Sequence, residues 1–120
     1  MYKSFHEMPV WQKALNLSKE IFELTITLQK SEDYGLTSQI RRSSNSIAGN
    51  IAEAFGRKTK RDKSHFYVIS RDSAFDTQSH LLYGRKVGYF EEQNTESLLK
   101  EYSELIHELN KILKALEQEI

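Results

Sequence analysis

Apolar residues recur along this chain at the three- and four-residue spacing of amphipathic helices, and no run alternates with a period of two. One proline and five glycines interrupt the pattern, so a few long helices are the economical interpretation. The pattern and its breaks predict four helices, over residues 9–29, 36–55, 62–87 and 95–119. Short connections between long helices favour an antiparallel up-down-up-down bundle. We therefore expect an all-α fold and one domain, residues 1–120.

Local signals mark where these helices begin and end. Pro9 suits the first position of a helix, and Gly56 is placed to end the second helix. Thr59 or Asp62 can cap the third helix through a side-chain oxygen, and Asn94 can cap the fourth in the same way.

Two of the helices carry more apolar surface than one neighbouring helix can cover. On the first, apolar residues spread over an arc of about 200°, whereas an ordinary surface helix has an apolar arc of roughly 100° or somewhat more. The third has an inner face of narrow side chains and a second stripe, Val68, Phe75 and Leu82, repeating every seven residues as in a coiled-coil seam. We therefore predict contacts with another subunit, with this stripe as the oligomer seam.

The second helix, residues 35–57, combines an apolar stripe with many small and hydrogen-bonding residues. Five polar side chains there could form a ligand site or a structural polar network at an interface: Arg41, Arg42, Ser46, Asn50 and Glu53. Arg42, Ser46 and Glu53 lie within about 40° of each other on a helical wheel. A guanidinium and a carboxylate so placed can pair, within the bundle or across the interface, so we favour the structural interpretation.

The connection after the second helix is strongly basic. Its sequence GRKTKRDKS contains one acid, Asp62, against five cations: Arg57, Lys58, Lys60, Arg61 and Lys63. Such a cluster can neutralise nucleic-acid phosphates and release counterions. A solvated loop is an equally good interpretation for a monomer, but several copies around a ring would concentrate the charge on one rim.

The overall charge does not by itself favour a nucleic-acid partner. Seventeen Lys and Arg balance seventeen Asp and Glu, but residues 1–35, 36–90 and 91–120 carry −1, +6 and −5. The surface is therefore predicted to be polarised. The chain has no cysteine, which excludes disulfides and Cys-ligated zinc, and no apolar run approaches a membrane span. These features favour the cytoplasm.

No catalytic, metal or cofactor site is predicted. Glu104 and His107 have the Glu-x-x-His spacing of di-iron bundles, but the element occurs once and faces away from the apolar stripe. His80 follows Asp76 by one turn, where a hydrogen-bonded pair could orient the imidazole, but no nucleophile or oxyanion donor accompanies it. We therefore expect the protein not to be an enzyme.

Several segments also carry a family resemblance. They are VWQKA at residues 10–14, GLTSQIRR at 35–42, SI at 46–47, NIAE at 50–53 and GYF at 88–90. With them the chain resembles the small bacterial four-helix-bundle family named for proteins encoded in 23S rRNA intervening sequences. The resemblance implies a homopentameric barrel of antiparallel bundles. That family also includes the accessory variability determinant of diversity-generating retroelements, a basic barrel that binds a reverse transcriptase and nucleic acid.

Two functional hypotheses follow. In the first, the protein is a non-enzymatic oligomer whose basic loops bind RNA or DNA backbone with low specificity, as an accessory to an RNA-processing or reverse-transcription partner. In the second, it is a protein-interaction scaffold with no nucleic-acid role.

Overall fold

The computed structural model describes residues 1–118, and four long helices dominate it. They are α1 (Pro9–Thr25), α2 (Leu36–Gly56), α3 (Lys60–Lys86) and α4 (Glu92–Gln118). Short 3₁₀ turns at Phe5–Glu7 and Lys30–Glu32 precede α1 and α2. Each helix packs on its neighbour in sequence, and α4 packs on α1 to close the bundle. The predicted all-α four-helix bundle is confirmed.

The bundle measures 45 × 21 × 21 Å. Its length is set by α3 and α4, each of 27 residues, because a helix rises about 1.5 Å per residue. The apolar stripes of all four helices meet on the long axis, as the periodicity predicts. The largest fully buried apolar side chains are Leu17, Ile21, Ile40, Ile47, Ile51, Leu81, Tyr102, Leu105 and Leu109.

The interface between α2 and α3 is built from small residues whose hydroxyl groups pair across it. Ser43 Oγ lies 2.8 Å from Thr77 Oγ1, and Ser46 Oγ lies 3.0 Å from Ser73 Oγ. Ser70 donates a 2.9 Å hydrogen bond to the carbonyl oxygen of Ile47. Narrow side chains let the helix axes approach closely, and buried hydroxyl groups need partners at that distance. The inner face predicted for the third helix is therefore where α2 packs.

Two predicted helix ends are wrong. The first helix ends at Thr25 rather than near residue 29, because i→i−3 hydrogen bonds from Ile26 to Glu23 and from Leu28 to Thr25 tighten its last turn into a 3₁₀ form. Asn94 does not cap the fourth helix, which already begins at Glu92. Both the amide and the hydroxyl group of Thr95 bond to the carbonyl of Glu91, so Asn94 lies inside the first turn.

The other ends within residues 1–118 are close to those predicted, and the predicted end of the fourth helix, residue 119, lies outside the described residues. Thr59, one of the two proposed caps, caps α3, because its hydroxyl oxygen accepts a 3.1 Å hydrogen bond from the amide of Asp62. The α3–α4 turn contains Gly88, whose φ of +87° suits glycine. The turn places the Phe90 ring directly against Gly84, leaving no room there for a side chain. None of the helices in the described part of the chain is long and apolar enough to cross a membrane.

Candidate nucleic-acid and assembly surfaces

The basic connection lies at one end of the bundle, where α2 ends and α3 begins. Arg57 is held by its neighbours: its guanidinium lies 3.0 Å from the Glu53 carboxylate and 4.5 Å from the centre of the Phe66 ring. The pair with Glu53 has the i,i+4 spacing of neighbours on a helix surface. Arg57 therefore already has an anion and an aromatic partner within the chain.

Lys63 is also engaged by the protein. Its ammonium group donates 3.1 Å hydrogen bonds to the carbonyl oxygens of Ala54 and Phe55, in the last turn of α2. Those carbonyls carry the negative end of the helix dipole, so a cation there is stabilising. Lys63 thus joins the first turn of α3 to the end of α2, a role that a count of charges in the loop does not predict.

The remaining three loop cations, Lys58, Lys60 and Arg61, are exposed. Within residues 1–118, the side chains of Lys58 and Arg61 form no hydrogen bond or ion pair. The amino end of α3 starts at Lys60, and its partial positive charge adds to that of the side chains. The structure thus divides the five predicted cations into two that brace the loop and three that face solvent.

The predicted polar network is present in part. Asn50 donates hydrogen bonds of 2.8 and 2.9 Å to the carbonyl and hydroxyl oxygens of Ser46, which itself contacts Ser73 on α3. Within the chain, Glu53 pairs with Arg57 and not with Arg42. A pair between Arg42 and Glu53 across a subunit boundary stays a prediction.

Arg41 joins α2 to α1. Its Nε donates a 2.8 Å hydrogen bond to the Thr25 hydroxyl oxygen, and its guanidinium lies 4.5 Å from the centre of the Phe22 ring. The Thr25 hydroxyl in turn donates a 2.8 Å hydrogen bond to the carbonyl oxygen of Ile21. The arginine thereby orders the exposed Phe22 beside a surface groove of about 590 Å³ between the two helices.

Two apolar stripes remain uncovered on opposite sides of the bundle. On α3, Phe75 and Leu82 of the predicted seam are 50% and 43% exposed, and Val68 is half-buried. These three residues lie within about 80° of Gln78 on a helical wheel. The Gln78 side-chain amide donates a hydrogen bond to the carbonyl oxygen of Leu99 on α4. This stripe therefore leans towards α4.

The second stripe consists of Leu15 and Phe22 on α1 and of Ile26, which directly follows α1. It leans towards α2, because Phe22 contacts Arg41 of that helix. Because α1 and α3 occupy diagonal corners of the bundle, the two stripes point away from each other. The broad apolar arc of the first helix predicted surplus surface, but the sequence did not predict on which side it would lie.

The groove between α1 and α4 has the opposite charge from the basic loop. Glu20 and Glu23 line it together with Asn94 and Ser97. Partial burial raises the pKa of Glu20, and the nearby Glu101 and Glu23 carboxylates raise that pKa further. Glutamates of α1 and α4 thus produce an acidic side of the bundle, remote from the exposed loop cations.

The histidine and metal candidates remain separate. Within residues 1–118, no group of three or more His, Cys, Asp and Glu side chains could hold a metal ion. Glu104 pairs with Lys13 at 3.3 Å, and His107 is exposed. His80 is half-buried, but no hydrogen bond between it and Asp76 occurs in the described structure.

Comparison with known proteins finds a family that the chain matches. Residues 6–111 match the sequence model of the family described as 23S rRNA-intervening sequence protein. The chain belongs to this family. The resemblance found in the sequence is therefore confirmed, over most of the chain.

A solved structure has the same fold. It is a protein of unknown function from the S23 ribosomal protein family of Bacteroides thetaiotaomicron, determined at 1.70 Å. The two proteins are 24% identical, with a TM-score of 0.79, over 88% of this chain and 98% of the other. No curated protein matches the chain.

Proposed function

We propose that this protein is a non-enzymatic, self-assembling helical bundle that binds RNA or another polyanion through Lys58, Lys60 and Arg61. The observation that supports the proposal is the division of the basic loop. Arg57 and Lys63 are engaged by the protein and brace the connection, while the other three cations are exposed beside the amino end of α3. A braced loop presents its exposed charges with a smaller loss of conformational entropy.

Three cations on one subunit support only weak binding. For single-stranded nucleic acid, log affinity falls with log salt by about 0.7 per phosphate neutralised, so one loop gives a slope of roughly −2. Such contacts are made to the backbone and carry no sequence information. A useful affinity therefore requires several loops to act on one strand.

Self-assembly supplies those loops. The uncovered stripes on α1 and α3 differ in sequence and lie on opposite sides of the bundle, so contact between them is head-to-tail. Repeated head-to-tail contact produces a ring when the rotation closes. The family resemblance leads us to propose five subunits. Five loops on one rim bind a strand with an avidity that exceeds the affinity of each loop.

We further propose that the ring acts in the cytoplasm beside an RNA-processing enzyme or a reverse transcriptase. A reverse-transcriptase gene next to the gene for this chain, or a location within an rRNA intervening sequence, would support that partner. An isolated gene whose product retains its protein partners at high salt would count against it.

Fluorescence anisotropy tests polyanion binding. The assay uses a labelled single-stranded RNA of about 20 nucleotides, titrated at low and at moderate salt. The variant Lys60→Glu with Arg61→Glu is expected to bind roughly tenfold more weakly, because two phosphate contacts become repulsions. Lys100→Glu with Lys114→Glu, which makes the same charge change at exposed positions of α4, is the matched control.

Absence of binding at low salt would refute the proposal. So would equal loss of affinity in the loop variant and the α4 control, because net charge would then matter more than position. In either case the alternative function, a protein-interaction scaffold, gains support. The zero net charge and the two uncovered apolar stripes are the observations that favour it.

A further inference from the structure

A polar groove runs between α2 and α3, towards the end of the bundle opposite the basic loop. It has two adjoining parts of about 300 and 400 Å³, and Gln39 and His80 line both. Known small-molecule sites start at about 300 Å³. Each part is therefore large enough for a small ligand or for one portion of it.

The floor and walls of the groove differ in how their polar groups are satisfied. On the floor, Ser43 pairs with Thr77, and Ser46 with Ser73. On the walls, four polar side chains form no hydrogen bond or ion pair with any residue in the described range 1–118: Gln39, Arg42, Asp76 and His80. The groove thus has a rigid floor with unengaged donors and acceptors above it.

Arg42 and Asp76 both line the smaller part, and yet they do not pair with each other. A cation and an anion on opposite walls of one groove disfavour a ligand with a single charge, because either sign meets one repulsive partner. They are complementary to a ligand that carries both charges. A guanidinium binds a carboxylate in bidentate fashion, and a carboxylate accepts hydrogen bonds from an ammonium group.

We propose that this groove binds a free amino acid as its zwitterion. The ligand carboxylate pairs with Arg42, and its ammonium group pairs with Asp76. Its side chain extends into the adjoining part, which Leu36 and Tyr83 line. Gln39 and His80, common to both parts, offer further hydrogen bonds. The proposal goes beyond polyanion binding and is independent of it, since none of these residues belongs to the basic loop.

Two-dimensional NMR of the intact chain, isotopically labelled, tests the proposal with L-phenylalanine as the probe. Two capped analogues separate the charges: N-acetyl-L-phenylalanine keeps only the carboxylate, and L-phenylalaninamide keeps only the ammonium group. The zwitterion is expected to shift the resonances of residues 39–46 and 73–83. Each capped analogue is expected to bind roughly tenfold more weakly, because one charge-assisted bond is lost.

Matched variants provide a second readout. Arg42→Gln is expected to weaken phenylalanine binding about tenfold and to leave phenylalaninamide unaffected, and Asp76→Asn is expected to have the reverse selectivity. Asp72→Asn is the control, because Asp72 is exposed, lies one turn earlier on α3 and is outside the groove. This variant is expected to bind phenylalanine as tightly as the unaltered chain does. Arg42→Gln and Asp76→Asn both alter exposed side chains, so these variants should retain the fold.

The proposal is overturned if phenylalanine causes no saturable shift, or if the capped analogues bind as tightly as the zwitterion. It is also overturned if the shifted resonances lie outside the groove. None of these results affects RNA binding by Lys58, Lys60 and Arg61, so failure of one proposal is distinguishable from failure of the other.

Discussion

The Tyr89 hydroxyl donates a 2.8 Å hydrogen bond to the Glu32 carboxylate and thereby joins the α1–α2 connection to the α3–α4 connection. The other oxygen of the same carboxylate accepts a 3.1 Å bond from the amide of Leu36, the first residue of α2. Gln29 donates to the Tyr89 hydroxyl at 3.0 Å. One acidic side chain therefore caps a helix and fastens two turns at the same end of the bundle.

This arrangement predicts that Glu32→Ala destabilises the protein more than Tyr89→Phe. The tyrosine variant loses one hydrogen bond, whereas the glutamate variant also leaves the first amide of α2 without its cap. Thermal unfolding followed by circular dichroism measures the difference, and amide exchange at Leu36 should accelerate only in the glutamate variant. Asp33→Ala, at an exposed neighbouring position, is the control. Equal loss in the two variants would show that the cap contributes nothing.

The basic loop predicts a separation of roles between two lysines. Lys63→Met removes the cation that caps the last carbonyls of α2, so it should lower the free energy of unfolding by about 0.5–1 kcal/mol. Lys58→Met removes an exposed cation and should leave stability unchanged while weakening RNA binding. Urea denaturation and the anisotropy assay, run on both variants, check this. A stability loss in Lys58→Met as large as in Lys63→Met would contradict the division of the loop.

The four-helix bundle and most helix ends were predictable from the sequence, because helix periodicity, turn residues and the Thr59 cap are local signals. The partners of Arg41, Arg57 and Lys63 depend on which helices lie side by side, which a single sequence does not state. Only the Glu53–Arg57 pair had a readable signal, its i,i+4 spacing. The sequence pointed instead to Arg42 as the partner of Glu53, because both share a face of the isolated helix.

The proposed sites divide in the same way. The basic loop is visible in the sequence as a run of charge. The groove that contains Arg42, Asp76 and His80 is not, because it exists only where α2 and α3 pack together through their small residues. Surplus apolar surface was predictable from the breadth of the stripe on α1 and from the second stripe on α3, but its position on opposite sides follows from the order of the helices around the bundle.

The buried Tyr102 predicts a dependence of stability on alkaline pH. Burial raises the pKa of its hydroxyl, the Glu20 and Glu101 carboxylates raise it further, and within residues 1–118 the hydroxyl has no hydrogen-bond partner. A group whose pKa is higher in the folded state contributes its full stability below its unfolded pKa, about 10 for tyrosine. The contribution is lost as the pH rises through the folded pKa. Burial also raises the pKa of the Tyr67 hydroxyl.

Tyr102→Phe removes both the ionisable group and an unpaired buried polar atom. The variant should be as stable as the unaltered protein near neutral pH, or more stable by up to about 1 kcal/mol. Its stability should fall less steeply between about pH 9 and about pH 11. Urea denaturation across that range checks the slope. Tyr34→Phe, at a residue 97% exposed, is the control and should leave the slope unchanged. An equally steep fall in Tyr102→Phe would contradict the assignment.

The opposed apolar stripes predict the outcome of a mixing experiment. One variant, Leu15→Glu with Ile26→Glu, disables the α1 stripe; another, Phe75→Glu with Leu82→Glu, disables the α3 stripe. Each should be a folded monomer, because these side chains are already about 43–61% exposed and contribute little to the core. In a head-to-tail assembly each variant keeps one half of the contact, so the two mixed together should form a one-to-one dimer and nothing larger. Light scattering coupled to size exclusion measures the molar mass of each variant and of their mixture.

If the stripes instead contacted copies of themselves, each variant alone would still form a dimer through its intact stripe, and mixing would leave those masses unchanged.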